Sequence, residues 1–126
     1  MAKDQDVIET ESLSVVRKLI GKEVAITIDR PIGSRHPIYN FEYKVNYGYI
    51  SEIMAPDNEE LYAYYLGVEE PLQKALGTCI AIVHRVDDGD NKLVVVPKEV
   101  ELTDEEIIGA IQFQEQWFNI KIIRWQ

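Results

Sequence analysis

Strand-like patterning fills the middle of this sequence in short pieces, and helical patterning occurs only near its two ends. That arrangement limits the fold more than any other feature. Val24, Ile26 and Ile28 alternate with Ala25, Thr27 and Asp29, which marks a half-buried strand over 23–29. Apolar or aromatic side chains occupy every odd position from Tyr39 to Tyr49, and this period of two predicts a second strand over 39–50. Gly48 interrupts it at a place suited to a bulge. Further strands are expected over 61–68, 78–84 and 93–96, the last ended by Pro97, with a short one around Ile120 and Ile122. Leu13, Val16 and Ile20 carry helical spacing ahead of Gly21 and predict a helix over 12–20. A second helix starts at Thr103, because Thr103 with Glu106 forms a capping box. Strands in close succession between terminal helices exclude a doubly wound α/β sheet. They favour a mainly β (α+β) fold, a small barrel or strongly curved sheet flanked by helices.

Length and charge narrow the function classes. The 126 residues suit one domain over 1–126, with 1–9 polar and expected to fray. Acids outnumber bases by 22 to 13, giving a net charge of −9, and no three basic residues run together. A basic face for nucleic acid is therefore not expected, nor is attachment to an anionic membrane. No apolar run reaches the ~20 residues of a membrane span. The start Met1-Ala2-Lys3-Asp4 is too polar for a secretory signal, and the single cysteine, Cys79, allows no internal disulfide. A reducing, cytoplasmic address is the expectation.

Two acidic segments could carry chemistry. Asp57-Asn58-Glu59-Glu60 precedes one strand, and Asp87-Asp88-Gly89-Asp90 lies between two others. Carboxylates converging from two loops at one end of a barrel suit a hard cation such as Mg2+. The alternative is solvated turn acids that keep the chain dispersed. Cys79 sits mid-strand, as a small buried hydrophobe would. His84 is expected to be an exposed strand-end residue. The tyrosines of 39–49 are expected in the core or on the barrel surface; base stacking on them ranks low without basic neighbours.

Three pieces in order resemble the soluble family I inorganic pyrophosphatases: Val45-Asn46-Tyr47-Gly48-Tyr49-Ile50, Asp57-Asn58-Glu59-Glu60-Leu61, and Lys92-Leu93-Val94-Val95-Val96-Pro97 after an acidic turn. The resemblance covers about Val24 to Pro97. It implies a five-stranded OB-like closed barrel with packed helices, and Mg2+-dependent hydrolysis of inorganic pyrophosphate to phosphate. It implies Asp57, Glu59, Asp87 and Asp90 as metal ligands, with Asp57 and Glu59 catalytic and Glu59 handling the attacking water. Tyr47, Arg35, Arg85 and Lys92 would hold the substrate, pyrophosphate or a small phosphate compound, and Asp29 would match an early acid of the family.

The chain departs from the family pattern at telling places. Tyr62 stands where the loop has a third acid, and a neutral phenol is a poor Mg2+ ligand. Glu59 replaces an aspartate, and Trp117-Phe118 stands for a Tyr-Lys pair. A catalytically degenerate relative that binds metal, a phosphate compound or a protein partner is therefore the alternative function. The apolar tail with Ile120, Ile122, Ile123 and Trp125 would allow a homo-oligomer, or would pack on its own barrel.

Overall fold

The computed structural model describes residues 11–54 and 60–126. Its elements run α1 (Glu11–Arg17), β1 (Glu23–Arg30), β2 (Asn46–Met54), β3 (Glu60–Tyr65), β4 (Lys74–Arg85), β5 (Asn91–Val96), α2 (Asp104–Glu115) and β6 (Ile120–Ile123). The strands pair in the order β1-β2-β3-β5-β4-β6, and a further β1–β4 ladder closes the first five into a barrel. All ladders are antiparallel except β3–β5. The fold is thus mainly β: a closed five-stranded mixed barrel of OB type with one added strand and two helices. The twelve-residue β4 makes closure possible: Lys74–Thr78 pair with β1, and Ile82–Arg85 pair with β6. The apolar tail therefore adds to its own barrel, with Ile123 buried.

Side-chain parity divides the core in two. Val24, Ile26 and Ile28 of β1, with Leu93 and Val95 of β5, fill the barrel interior, and Leu13 and Val16 of α1 join them. Val94 and Val96 point the other way and pack with Ile107 and Ile111 of α2. β5 is buried at every position because its inner face meets the interior and its outer face meets the helix. The capping box is present: Glu106 N–H donates to Thr103 Oγ1 at 3.1 Å, and Thr103 N–H donates to Glu106 Oε1 at 2.8 Å.

Two expectations require correction. The strand predicted over 39–50 begins only at Asn46. Over 33–43 the chain instead folds back on itself: Tyr43 N–H donates to the Ser34 carbonyl, His36 N–H to the Phe41 carbonyl, and only Arg35 and Glu42 form a bridge. Short-range bonds thus satisfy the backbone that a long strand would have presented to β1. The expectation of an exposed His84 also fails. His84 is 2% exposed, and its Nδ1 lies 2.7 Å from Asn91 Oδ1 across the β4–β5 ladder. Smaller differences are that α1 ends at Arg17 and β4 starts at Lys74. Cys79 is buried as expected, and burial pushes its thiol up to about 12.

Candidate active site

Bulges decide which side chains face the site. In β1, Ile28 pairs with Gly48 and Arg30 with Tyr47, so Asp29 is an extra residue and both Asp29 and Arg30 reach the outer face. In β4, Cys79 pairs with Val95 and Ala81 with Val94, leaving Ile80 extra. Cys79 points into the barrel, whereas Ala81 and Val83 point out. Without that bulge Arg85 would share the inward parity of Cys79. With it, Arg85 meets Lys92, which lies on the outward parity of Val94 and Val96.

A cavity of about 980 Å3 opens on this outer face, covered by the 33–43 loop and the end of α2. The strands contribute Asp29, Arg30, Tyr47, Tyr62, Arg85 and Lys92 to its lining. A row of rings forms one wall: Tyr43 and Tyr47 stack with centroids 5.5 Å apart, and Tyr47 and Tyr62 at 5.3 Å. Burial, first of all, pushes the Tyr47 and Tyr64 phenols well up, and Glu115 adds to the effect on both. Tyr62 is raised too, by burial and then by the charges of Asp29 and Glu60. These phenols keep their protons at neutral pH, so Tyr62 supplies no anionic ligand.

The centre of the charged network is Glu115, a residue that sequence reasoning missed. Its side chain is 1% exposed. Arg85 Nε donates to Oε1 at 2.7 Å and Nη2 to Oε2 at 3.1 Å, a two-pronged ion pair. Tyr64 OH donates to Oε2 at 2.5 Å, and Lys92 Nζ lies 3.7 Å from it. Gln114 extends the chain, donating from Nε2 to Tyr64 OH at 2.6 Å and accepting from Tyr43 OH at 2.7 Å. The Arg85 guanidinium also lies 3.9 Å from the centre of the Phe118 ring. One signal in the sequence pointed to Glu115. The other acids of α2 that flank its start, Asp104, Glu105 and Glu106, sit where the helix dipole favours them, while Glu115 sits at the opposing end with no base in the last turn. An acid held against the dipole needs a cation from elsewhere.

Burial alone would raise the Glu115 carboxyl. The Arg85 hydrogen bond, the Lys92 charge and the Tyr64 hydroxyl outweigh it and hold the group below its ordinary 4.5. A carboxyl lowered by folding contributes stability that is complete above the unfolded value and lost as pH falls through the folded one. Urea midpoints taken from about pH 5 down to about pH 3 should therefore fall more steeply for the wild type than for Glu115→Gln. Parallel slopes would show that Glu115 does not titrate in this way.

The residues expected to form the site are distributed unevenly. Tyr47, Arg85 and Lys92 line the cavity together. Arg35 is not part of the lining; its Nη1 donates to the Asn40 carbonyl at 2.7 Å and braces the loop. Asp87 accepts from Asn119 N–H at 2.7 Å and from its Nδ2 at 3.2 Å, tying the acidic turn to the segment after α2. Asp90 forms an ion pair with Lys92 and lies 3.8 Å from Arg85. Asp57 and Glu59 lie outside the described residues. Among the described residues no three acid, histidine or cysteine side chains gather to hold a metal ion. Asp87 and Asp90 alone do not make a Mg2+ site, and each already has partners. Asn46 of the Asn-Tyr-Gly motif is fully buried and structural: its Oδ1 accepts from Ile32 and Leu72 N–H at 3.1 Å each, and its Nδ2 donates to the Glu70 carbonyl at 2.9 Å.

No protein-family model matches the sequence, and no curated protein matches it. Solved structures do. An inorganic pyrophosphatase from Ehrlichia chaffeensis superposes with a TM-score of 0.63 at 14% identity, covering 81% of this chain and 85% of its own. One from Coxiella burnetii gives 0.58 at 15%, covering 82% and 85%. One from Thermus thermophilus gives 0.56 at 17%, covering 82% of each chain. At such identities the likeness is one of fold: the chain has a pyrophosphatase-like barrel, and no helix among its described residues is long and apolar enough to cross a membrane.

Proposed function

We propose that the outer-face cavity takes pyrophosphate or a related small phosphate compound, and that the chain hydrolyses pyrophosphate with Mg2+. The observation that carries this reading is the meeting of Lys92, Arg85 and Tyr47 in one cavity on a pyrophosphatase-like barrel. In this reading Lys92 and Arg85 bind phosphate oxygens, the Tyr47 phenol donates to them, and Glu115 keeps the guanidinium aimed. Bound Mg2+ would neutralise charge on the phosphate oxygens and make water a better nucleophile. The described acids do not complete a site for it. The reading therefore depends on Asp57 and Glu59 joining Asp90, with Asp87 as the fourth acid.

A second reading is favoured by a specific observation. Lys92 and Arg85 are already paired with Asp90 and Glu115, and Tyr62 holds a position where the family pattern has an acid. A chain so arranged would bind a phosphate compound without hydrolysing it. Phosphate release from pyrophosphate by the wild type, Asp57→Asn and Asp90→Asn separates the two. Hydrolysis requires Mg2+-dependent release that falls at least about a hundredfold in each variant, the scale of a misplaced catalytic group. Release that is unchanged in both variants would remove these acids from the reaction.

A further inference from the structure

The cavity is larger and more apolar than a small inorganic anion needs. At about 980 Å3 it matches the upper end of sites that enclose drug-sized molecules, roughly 300–1,000 Å3. Eight of its thirteen lining residues carry aromatic or imidazole rings. Pyrophosphate has no apolar surface to bury, and the faces of such rings are electron-rich, so beyond donors such as the Tyr47 hydroxyl the ring faces give a polyanion little to bind. Two of the rings remain open to solvent although they line the cavity: Tyr39 is 73% exposed and Trp117 is 64% exposed. Phe41 stands beside both groups, 6.0 Å from Trp117 and 4.9 Å from His36, which in turn is 5.0 Å from Tyr39.

The lining has two chemistries from two sources. Its cations, Arg30, Arg85 and Lys92, come from the barrel strands. Its exposed rings come from the covering layer, Tyr39 from the loop and Trp117 from just beyond α2. The bulges in β1 and β4 bring Arg30 and Arg85 to the face that carries the tyrosines. A ligand that satisfies both sides has a flat ring and an anionic group. We propose that this cavity binds a nucleoside phosphate, with the base stacked on Trp117 and Tyr39 and the phosphate held by Lys92, Arg85 and Arg30. The proposal rests on the reading of the cavity as a phosphate-compound site, and it names the class of compound.

Titration calorimetry on the full chain tests it with four probes in Mg2+ buffer: ADP, adenosine, ribose 5-phosphate and imidodiphosphate, the last as a non-hydrolysable stand-in for pyrophosphate. ADP should bind at least about tenfold more tightly than each of the other three, since stacking on an exposed aromatic changes affinity by that order. Trp117→Ala should lower the ratio of ADP to imidodiphosphate affinity by about tenfold, and Tyr39→Ala, on a separate segment, should move it in the same direction. In a Trp125→Phe background, ADP should quench the remaining Trp117 fluorescence and ribose 5-phosphate should not. Imidodiphosphate binding as tightly as ADP, or an ADP affinity unchanged in both ring variants, overturns the nucleoside proposal and leaves the phosphate site standing. Binding of none of the phosphate probes overturns both.

Discussion

Glu115→Ala should cost about 3–5 kcal/mol of folding stability, the range seen when one partner of a buried ion pair is removed. The cause is what remains afterwards. Arg85 would keep its charge in a largely buried position with its main partner gone, and Tyr64 OH would lose its acceptor. For a chain of this length that corresponds to a melting temperature lower by roughly 10–20 °C. Glu115→Gln should cost less, because its amide oxygen can still accept from Arg85 and the helix end keeps its shape. The double variant Arg85→Met with Glu115→Leu should regain much of the loss, since it removes both charges and fills the space. Urea unfolding by circular dichroism checks all three. A loss below about 1 kcal/mol in Glu115→Ala would mean that the pair behaves as a solvated surface bridge, whose worth is of that size.

Gly48→Ala should be the most damaging single methyl in the barrel. A Cβ there would stand 1.9 Å from the Thr27 carbonyl oxygen and 2.8 Å from the Ile28 Cα, both backbone atoms of the paired strand. No rotamer change relieves such a contact, so β1 and β2 must separate beside the bulge that delivers Asp29 and Arg30 to the cavity. A cost of at least about 3 kcal/mol is expected, at the high end of overpacking effects. Gly109→Ala is the control. It lies within α2 with nothing near its added methyl, so it should stabilise by about 0.5–1 kcal/mol. Urea midpoints moving in opposite directions support this account of the strand crossing; similar midpoints for the two variants contradict it.

The strand and helix alternation of the fold was legible because burial follows parity so closely. β1 alternates buried and exposed from Glu23 to Asp29, as Val24, Ile26 and Ile28 require, and the capping box placed the start of α2. The 39–45 segment was misread for a physical reason: its alternating aromatics do share a side, but they serve the cavity from a folded-back loop rather than from a strand. His84 was misread because a polar residue at a strand end is usually wet, whereas here Asn91 satisfies its ring from the facing strand. In the candidate site, Tyr47 and Lys92 came from the resemblance to a known family, and Arg85 from the few cations the chain retains. Glu115 and Gln114 did not, because their roles depend on where a distant helix ends over the sheet. Parity along β4 could not reveal that Arg85 faces outward, since a single extra residue, Ile80, reverses it.

Hydrolysis of pyrophosphate in the outer-face cavity is the central proposal for this barrel. Phosphate release from pyrophosphate by the purified wild type, with Mg2+ and then with chelator, beside Tyr62→Asp, tests that claim most directly. The expected result is wild-type release that chelator abolishes and that Tyr62→Asp increases by adding a carboxylate at the cavity wall. No release from a folded wild type, with release appearing only in Tyr62→Asp, would contradict hydrolysis by the natural chain and leave it a binding protein on a pyrophosphatase-like barrel.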